Sequence, residues 1–137
     1  MPLHFPNLSH LVLTEAIKYH TYRALMGLLY FCPVLESIYI PEGFETYMPL
    51  DEKHSIWSST PVCMLKCLRT VTLKNFHGYS SEICFIKCVL KYACVLEMMD
   101  IWWSTWVRAS KEQIMVRVKK ELEMMKMSST ACVVKFS

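Results

Sequence analysis

The sequence has little of several features that would place it in a familiar functional class. Only three of its 137 residues are glycine, so it lacks the glycine-rich loop that holds phosphate groups in many nucleotide-binding proteins. Its longest apolar run covers residues 24–35 and is interrupted by Pro33, whereas a membrane-spanning helix needs about 20 apolar residues. The N-terminal segment MPLHFPNLSH has no basic start followed by an apolar block, so it shows no secretory signal.

The cysteine content and the missing signal together indicate a reducing compartment. The chain has seven cysteines, an odd number, and reduced thiols are the rule in intracellular proteins. We therefore expect a cytoplasmic or nuclear location. At 53% hydrophobic residues the chain has enough apolar surface to bury a core and does not have the composition of a disordered protein.

The sequence shows no arrangement of side chains that would predict catalysis. The five histidines are scattered along the chain, and a Cys/His nucleophile needs a base within hydrogen-bond reach and a third group to orient it. Asp51 and Glu52 are adjacent carboxylates in an acidic, irregular stretch, where solvation explains them. We therefore expect a protein that is not an enzyme and that has no cofactor.

Two cysteine pairs, Cys63 with Cys67 and Cys84 with Cys88, raise the alternative of a zinc site. Zinc sites usually combine two closely spaced pairs of cysteine or histidine ligands. Here the first pair lies at the start of a predicted strand, and the second lies one turn apart on a predicted helix. The sequence therefore favours thiols that pack in the structure over metal ligands.

The net charge of +3 is unevenly distributed. Residues 1–65 carry three basic and six acidic side chains, and residues 66–137 carry the other twelve basic and six acidic ones. Nucleic-acid binding would require a basic cluster interleaved with exposed aromatic residues. Acidic residues interrupt the basic C-terminal stretch, so we interpret the asymmetry as two differently solvated surfaces and expect no nucleic-acid partner.

The clearest secondary-structure pattern covers residues 68–101. Alternating apolar and polar residues predict strands at both ends of this stretch, and apolar residues at helical spacing predict a helix between them. A strand–helix–strand unit implies that its two strands are parallel. The predicted elements are a strand over 68–74, a turn at Asn75, His77 and Gly78, a helix over 83–93 and a strand over 95–101.

An earlier part of the chain repeats this unit. NLSHLVL aligns with CLRTVTL, and CPVLESIYI aligns with ACVLEMMDI. Leu8 and Leu35 are 27 residues apart, and Leu68 and Leu96 are 28 apart, which matches the upper end of leucine-rich-repeat spacing, about 20–29 residues. We therefore predict an α/β fold, a leucine-rich-repeat-like solenoid fragment with a parallel sheet and helices on one face. Leu13, Ile40, Leu73 and Ile101 are expected inside it.

The rest of the chain gives weaker patterns. Ser110 and Gln113 form a capping-box sequence, which predicts the start of a helix that should end near Lys126 or Met127. Thr21 is predicted to cap an earlier helix. The other predicted elements are a strand from Leu8 to Leu13, a helix over 22–31 with Leu25, Leu28 and Leu29 inward, a strand over 34–40, a long loop with a short strand over 44–48, and an edge strand over 131–136.

Several short segments in the second half follow one another in a characteristic order. They are Trp57, Pro61-Val62-Cys63-Met64-Leu65, Leu68-Arg69-Thr70-Val71, Lys74-Asn75-Phe76-His77-Gly78, the stretch from Glu82 to Leu96, Lys120-Glu121-Leu122, and Cys132 with Phe136. Their order and spacing resemble the FBD domain of plant F-box proteins. The first half resembles the leucine-rich-repeat segment that precedes this domain in the same family. We therefore predict a leucine-rich-repeat-like segment over 1–56 and an FBD domain over 57–137.

This resemblance implies a protein–protein interaction module like the substrate-recognition part of F-box ubiquitin-ligase receptors. The F-box helical motif, which docks to the Skp adaptor in that family, is absent from the sequence. We therefore expect no direct binding to the adaptor. The expected partner is an unknown protein or ubiquitination substrate. The alternative is a truncated family member with a structural or competing regulatory role and no independent activity.

Three tryptophans form a candidate contact cluster just after the strand predicted to end at Ile101. Trp102, Trp103 and Trp106 lie in a predicted connection, where aromatic side chains often form binding hot spots. The same residues could instead cover the end of the sheet. The sequence leaves these two possibilities open.

Overall fold

The structure of the chain, a computed structural model, describes residues 5–45, 60–105, 111–125 and 127–137. These residues form an α/β arrangement of five strands and four α-helices. The elements in chain order are β1 His10–Val12, α1 Tyr19–Leu28 followed by a 3-10 turn Leu29–Phe31, β2 Ser37–Ile40, α2 Val62–Lys66, β3 Thr70–Phe76, α3 Ser80–Tyr92, β4 Met98–Trp103, α4 Lys111–Glu123 and β5 Val133–Phe136.

The five strands form one parallel sheet in the order β1-β2-β3-β4-β5. Each strand therefore lies beside the next strand in the chain, and each connection must cross over the sheet. This confirms the predicted parallel pairing. In register, Ile38 lies beside Val71, and Val71 lies beside Met99, so one row of apolar side chains runs across the sheet.

Alternation along the strands separates the two surfaces of the sheet. The inner face carries the core: Ile40, Leu73 and Ile101 are fully buried, as predicted, whereas Leu13 is only partly buried against the core. Buried residues of α1, α2, α3 and α4 belong to the same cluster. The opposite surface, here named the open face, consists of His10, Val12, Ser37, Tyr39, Thr70, Thr72, Lys74, Met98, Asp100, Trp102, Val133 and Lys135.

A repeated backbone contact aligns the starts of the strands. The carbonyl of Ser9 accepts hydrogen bonds from the N–H groups of Glu36 and Ser37, at 2.7 and 3.0 Å. In the same way, the Glu36 carbonyl accepts hydrogen bonds from the N–H groups of Arg69 and Thr70. The Arg69 carbonyl accepts them from the N–H groups of Glu97 and Met98. Equivalent positions at the starts of neighbouring strands thus lie directly beside one another in the sheet.

The first helix begins earlier than predicted. Helix α1 starts at Tyr19, its N-cap is Lys18, and the Lys18 carbonyl accepts from the N–H of Tyr22 at 2.8 Å. Thr21 therefore lies inside the first turn, and its prediction as the cap was wrong. Leu25 and Leu29 are buried as predicted, and Leu28 is partly buried against the core.

A short helix, α2, was missed. The sequence places Cys63 at the start of a strand, but Val62–Lys66 is helical after Pro61 and buries Cys63 and Met64. The φ angle of proline is fixed near the helical value, so proline is common at the start of a helix. The Met64 carbonyl accepts from the N–H of Cys94 at 2.9 Å, so tertiary contacts hold this single turn in place.

The turn predicted at Asn75 is a bulge within β3. The strand continues to Phe76, and its pairing with β4 shifts by one residue between Leu73 and Phe76. Asn75 takes up the extra length with a positive φ of 56°, a conformation that asparagine tolerates better than most residues. Its side-chain Nδ2 donates to the Pro41 carbonyl at 2.8 Å.

The C-terminal helix is shorter than predicted. Helix α4 ends at Glu123, not near Lys126 or Met127, and the N–H of Met125 donates to Leu122 at 3.3 Å as the chain turns. The capping role of Ser110 lies outside the described residues. So does most of the strand predicted over 44–48, although Phe44 pairs in parallel with Ile17.

Two glycines in the first half give a matched stability prediction. Gly43 has φ +69°, and a Cβ there would lie 2.8 Å from the backbone oxygen of Asn75; we expect Gly43→Ala to lower the free energy of unfolding by at least about 1–2 kcal/mol. Gly27 lies within α1, and an added Cβ there would have nothing within 4 Å. Gly27→Ala should therefore raise the free energy of unfolding by about 0.5–1 kcal/mol. Chemical denaturation of both variants checks the pair, and equal effects would contradict it.

Candidate interaction face

Aromatic and charged side chains meet on the open face where β2, β3 and β4 lie side by side. Lys74 on β3 lies between Tyr39 on β2 and Trp102 on β4. Its Nζ is 5.5 Å from the centroid of the Tyr39 ring and 5.3 Å from that of Trp102. Both distances are within the range of a cation–π attraction, about 0.5–1 kcal/mol at an exposed site.

The bulge in β3 brings these residues together. With one extra residue between Leu73 and Phe76, Lys74 stays on the open face while Phe76 still points into the core, where it is fully buried. The lysine stem is half-buried, and Trp102 remains 42% exposed. The arrangement therefore holds an ammonium group at the surface beside an accessible indole ring.

The structure separates the tryptophans that the sequence placed in one cluster. Strand β4 continues to Trp103, so Trp102 and Trp103 point to opposite sides of the sheet. The Trp103 ring lies 5.2 Å from Phe76 and 6.0 Å from Phe136, and the Nζ of Lys111 lies 5.6 Å from its centroid. Trp103 therefore packs under α4, Trp102 is available for contact, and Trp106 lies outside the described residues.

A carboxylate, Asp100, occupies the middle of the open face. In register it lies between Thr72 on β3 and Lys135 on β5. Its Oδ1 atom is buried and has no hydrogen-bond partner among the described residues. Unpaired buried carboxylate oxygens are uncommon, so Asp100 is a distinctive polar position between β3 and β5.

A second polar feature lies at the turn between β3 and α3. Glu82, in the first turn of α3, is fully buried and accepts hydrogen bonds from the backbone N–H groups of Tyr79 at 2.9 Å and His77 at 3.0 Å. Burial raises the pKa of the Glu82 carboxyl to about 7, an effect that hydrogen bonds from the backbone partly offset. Because Glu82 has no exposed surface, it stabilises the turn and has no access to a substrate.

Helix α4 is held against this same turn. Arg117 donates a hydrogen bond to the carbonyl of Gly78, and the Ile114 side chain occupies the space that a Cβ on Gly78 would need. Gly78 has a φ of +82°, which glycine adopts without strain. The His77 and Tyr79 rings stack beside it with centroids 4.9 Å apart. The turn is therefore a docking point for α4 on the side of the sheet away from the open face.

Cys63 and Cys88, one cysteine of each pair that raised the zinc alternative, favour the protonated thiol. Cys63 is fully buried and its thiol donates to the Leu29 carbonyl at 3.5 Å. Burial raises the pKa of Cys63 to about 11 and that of Cys88 to about 12, which opposes the thiolate form that binds zinc. Within the part of the chain that the structure describes, no three His, Cys, Asp or Glu side chains come together as a metal site.

In the described ranges, no helix combines enough length with enough apolar character to span a bilayer.

Sequence reasoning missed three residues of this geometry, namely Tyr39, Lys74 and Glu82. Alternation in β3 was a signal that Lys74 shares a surface with Thr72, but its distance to Tyr39 depends on the pairing register of two strands. The signal for Glu82 was its place three residues after Tyr79, in the first helical turn. Its burial follows from tertiary packing, which no local pattern reveals.

Comparison with known proteins adds one assignment. The family model described as FBD matches residues 56–101. No curated protein and no solved structure is significantly similar to the chain. The matched segment includes α2, β3 and α3 and ends at Ile101 within β4, directly before Trp102. The chain therefore contains an FBD domain at residues 56–101, a domain of the kind associated with F-box proteins.

Proposed function

We propose that this protein is a protein–protein interaction module and that it contacts its partner with the open face around Trp102. The observation that carries the proposal is the half-exposed indole of Trp102, set beside a positioned ammonium group on a regular sheet surface. Tryptophan and tyrosine are enriched among the residues that dominate binding energy at interfaces. A parallel sheet supplies a rigid platform for them because its strands are fixed by the core beneath.

The FBD domain supports a more specific role. In this proposal the stacked units form a leucine-rich-repeat-like solenoid, and the open face recognises a protein in the way of the substrate-recognition part of F-box ubiquitin-ligase receptors. The role requires binding alone, without catalysis or a cofactor, in the cytoplasm or nucleus. Recognition by the open face does not require the chain to bind the Skp adaptor.

Single substitutions of the two neighbouring tryptophans test the proposal. Trp102→Ala should change the free energy of unfolding by less than about 1 kcal/mol, because the residue lies on the surface, but should abolish capture of specific partners from plant extract. Trp103→Ala removes packing against Phe76 and Phe136 and should lower the free energy of unfolding by about 2–4 kcal/mol. Partners are identified by mass spectrometry, and their affinities are then measured with purified proteins by calorimetry.

Val116→Ser is the matched control, since Val116 is an apolar residue on α4 that is 69% exposed. It should leave partner binding unchanged. The proposal fails if the purified partner binds Trp102→Ala as tightly as the original chain, or if Val116→Ser is the variant that loses binding.

A further inference from the structure

The charges on the open face are not balanced. The described part of this face carries two lysines, Lys74 and Lys135, and one carboxylate, Asp100, which lies in register beside Lys135 without forming an ion pair with it. Lys74 likewise has no carboxylate within ion-pair distance in the described ranges. The described open face therefore carries an excess positive charge, and Lys74 is the lysine that presents it beside aromatic rings.

The two aromatic rings define where this charge is presented. The Lys74 Nζ lies 5.5 Å from the Tyr39 centroid and 5.3 Å from the Trp102 centroid, so the side chain is confined between rings on the two neighbouring strands. A confined side chain loses less conformational entropy on binding than a free surface lysine. The rings also exclude water from two sides, which strengthens an ion pair formed at the ammonium group.

The chemistry of the site selects among anions. A lysine ammonium is a single point charge, and phosphate recognition by proteins typically uses several cations, a bidentate arginine or a helix N-terminus. Among the described open-face residues, the only other lysine is Lys135, two strands away from β3. One cation between apolar rings matches one carboxylate that is flanked by apolar or aromatic groups.

We propose that Lys74 is the recognition point for an aspartate or glutamate side chain of a partner protein, with a neighbouring apolar side chain of that partner packed on Trp102. This inference rests on the proposed function, because it specifies what the open face binds. The partner segment is thus one in which an acidic residue is adjacent to an apolar residue on the same surface.

A display library of random internal peptide segments, with linkers at both ends, provides the probe for this proposal. Selection against the full chain should enrich segments that contain Asp or Glu beside an apolar residue. The enriched sequences are then synthesised with blocked termini, so that no terminal carboxylate can substitute for the side chain. Changing the acidic residue to its amide should weaken binding by about 10-fold, the size of a favourable charged contact.

A double-mutant cycle connects this loss to Lys74. Lys74→Met keeps the aliphatic stem over the rings and should weaken binding of the acidic peptide by the same factor, with no further loss for the amide peptide. Lys135→Met, on the same face, should have a smaller effect. Thermal unfolding confirms that both variants fold.

The result that overturns the inference is also specific. Selected segments that lack acidic residues, although Trp102→Ala abolishes their binding, would show that Lys74 does not recognise a carboxylate. Independent effects of Lys74→Met and of the amide peptide would show the same. In both cases the open face remains the binding surface. If the selected peptides bind every open-face variant equally well, the inference and the proposed function both fail.

Discussion

Replacing Phe85 with alanine is expected to lower the free energy of unfolding by about 3–5 kcal/mol, the usual range for a buried phenylalanine. Phe85 on α3 is fully buried, with its ring 5.5 Å from Phe44 and 6.4 Å from Tyr22. Tyr22 lies on α1, so this aromatic cluster joins the first part of the chain to the FBD domain. Loss of the ring leaves a cavity that both parts share.

Phe85→Leu is the matched control for this substitution. It retains most of the apolar volume and should lower the free energy of unfolding by only about 1–1.5 kcal/mol. Chemical denaturation gives the two values. If Phe85→Ala loses no more than Phe85→Leu, the ring is not part of a packed core.

Hydrogen exchange of the Phe85→Ala variant also tests the domain boundary predicted between residues 56 and 57. Described residues on both sides of that boundary belong to one buried cluster. We therefore expect amides in α1 and in β4 to lose protection together. Protection that persists in α1 while β4 opens would instead support two independently folding segments.

Replacing Glu82 with alanine is expected to lower the free energy of unfolding by about 2–4 kcal/mol near pH 5, because two buried N–H donors lose their acceptor. The side chain accepts from the N–H groups of His77 and Tyr79 within a turn that also supports α4. Alanine removes this acceptor. Glu82→Gln retains a side-chain oxygen and should lose less than half as much.

The same residue predicts how stability depends on pH. The pKa of Glu82 is raised from 4.5 to about 7 in the folded protein, so between these values the unfolded chain releases a proton that the folded chain retains. Stability therefore falls as pH rises through this window, by about 3 kcal/mol in total. Below about pH 4.5 the carboxyl is neutral in both states, and above about pH 7 no further loss occurs.

Denaturation of the original chain and Glu82→Gln at several pH values isolates this effect. The amide does not titrate, so the difference in unfolding free energy between the two proteins should move in favour of Glu82→Gln as pH rises from about 4.5 to about 7. A constant difference over that range would show that the buried carboxyl has an ordinary pKa.

Much of the fold was predictable because it depends on local patterns. Alternation over 68–74 and helical spacing over 83–93 gave β3 and α3, and the order of these elements required parallel strands. The errors occur where a tertiary contact outweighs a local preference. Thr21 has a capping side chain, yet α1 begins at Tyr19, and α2 is a single turn that depends on contacts with residues distant in the sequence.

The candidate site was less predictable than the fold. The sequence grouped Trp102 with Trp103, since both were expected in a connection after Ile101. Because β4 extends to Trp103, adjacent residues point to opposite faces and have different roles. The sequence placed Lys74 at the end of the strand over 68–74 but did not relate it to Tyr39 or Trp102, because these contacts join residues of three separate strands.

By itself the sequence determined that this chain forms an α/β structure of repeated strand–helix units with parallel strands, because side-chain periodicity and chain order are local properties. Only the tertiary structure decided which polar residues become neighbours. Strand register and the bulge at Asn75 set those distances, and both depend on backbone hydrogen bonds and side-chain packing between residues that are far apart in the chain.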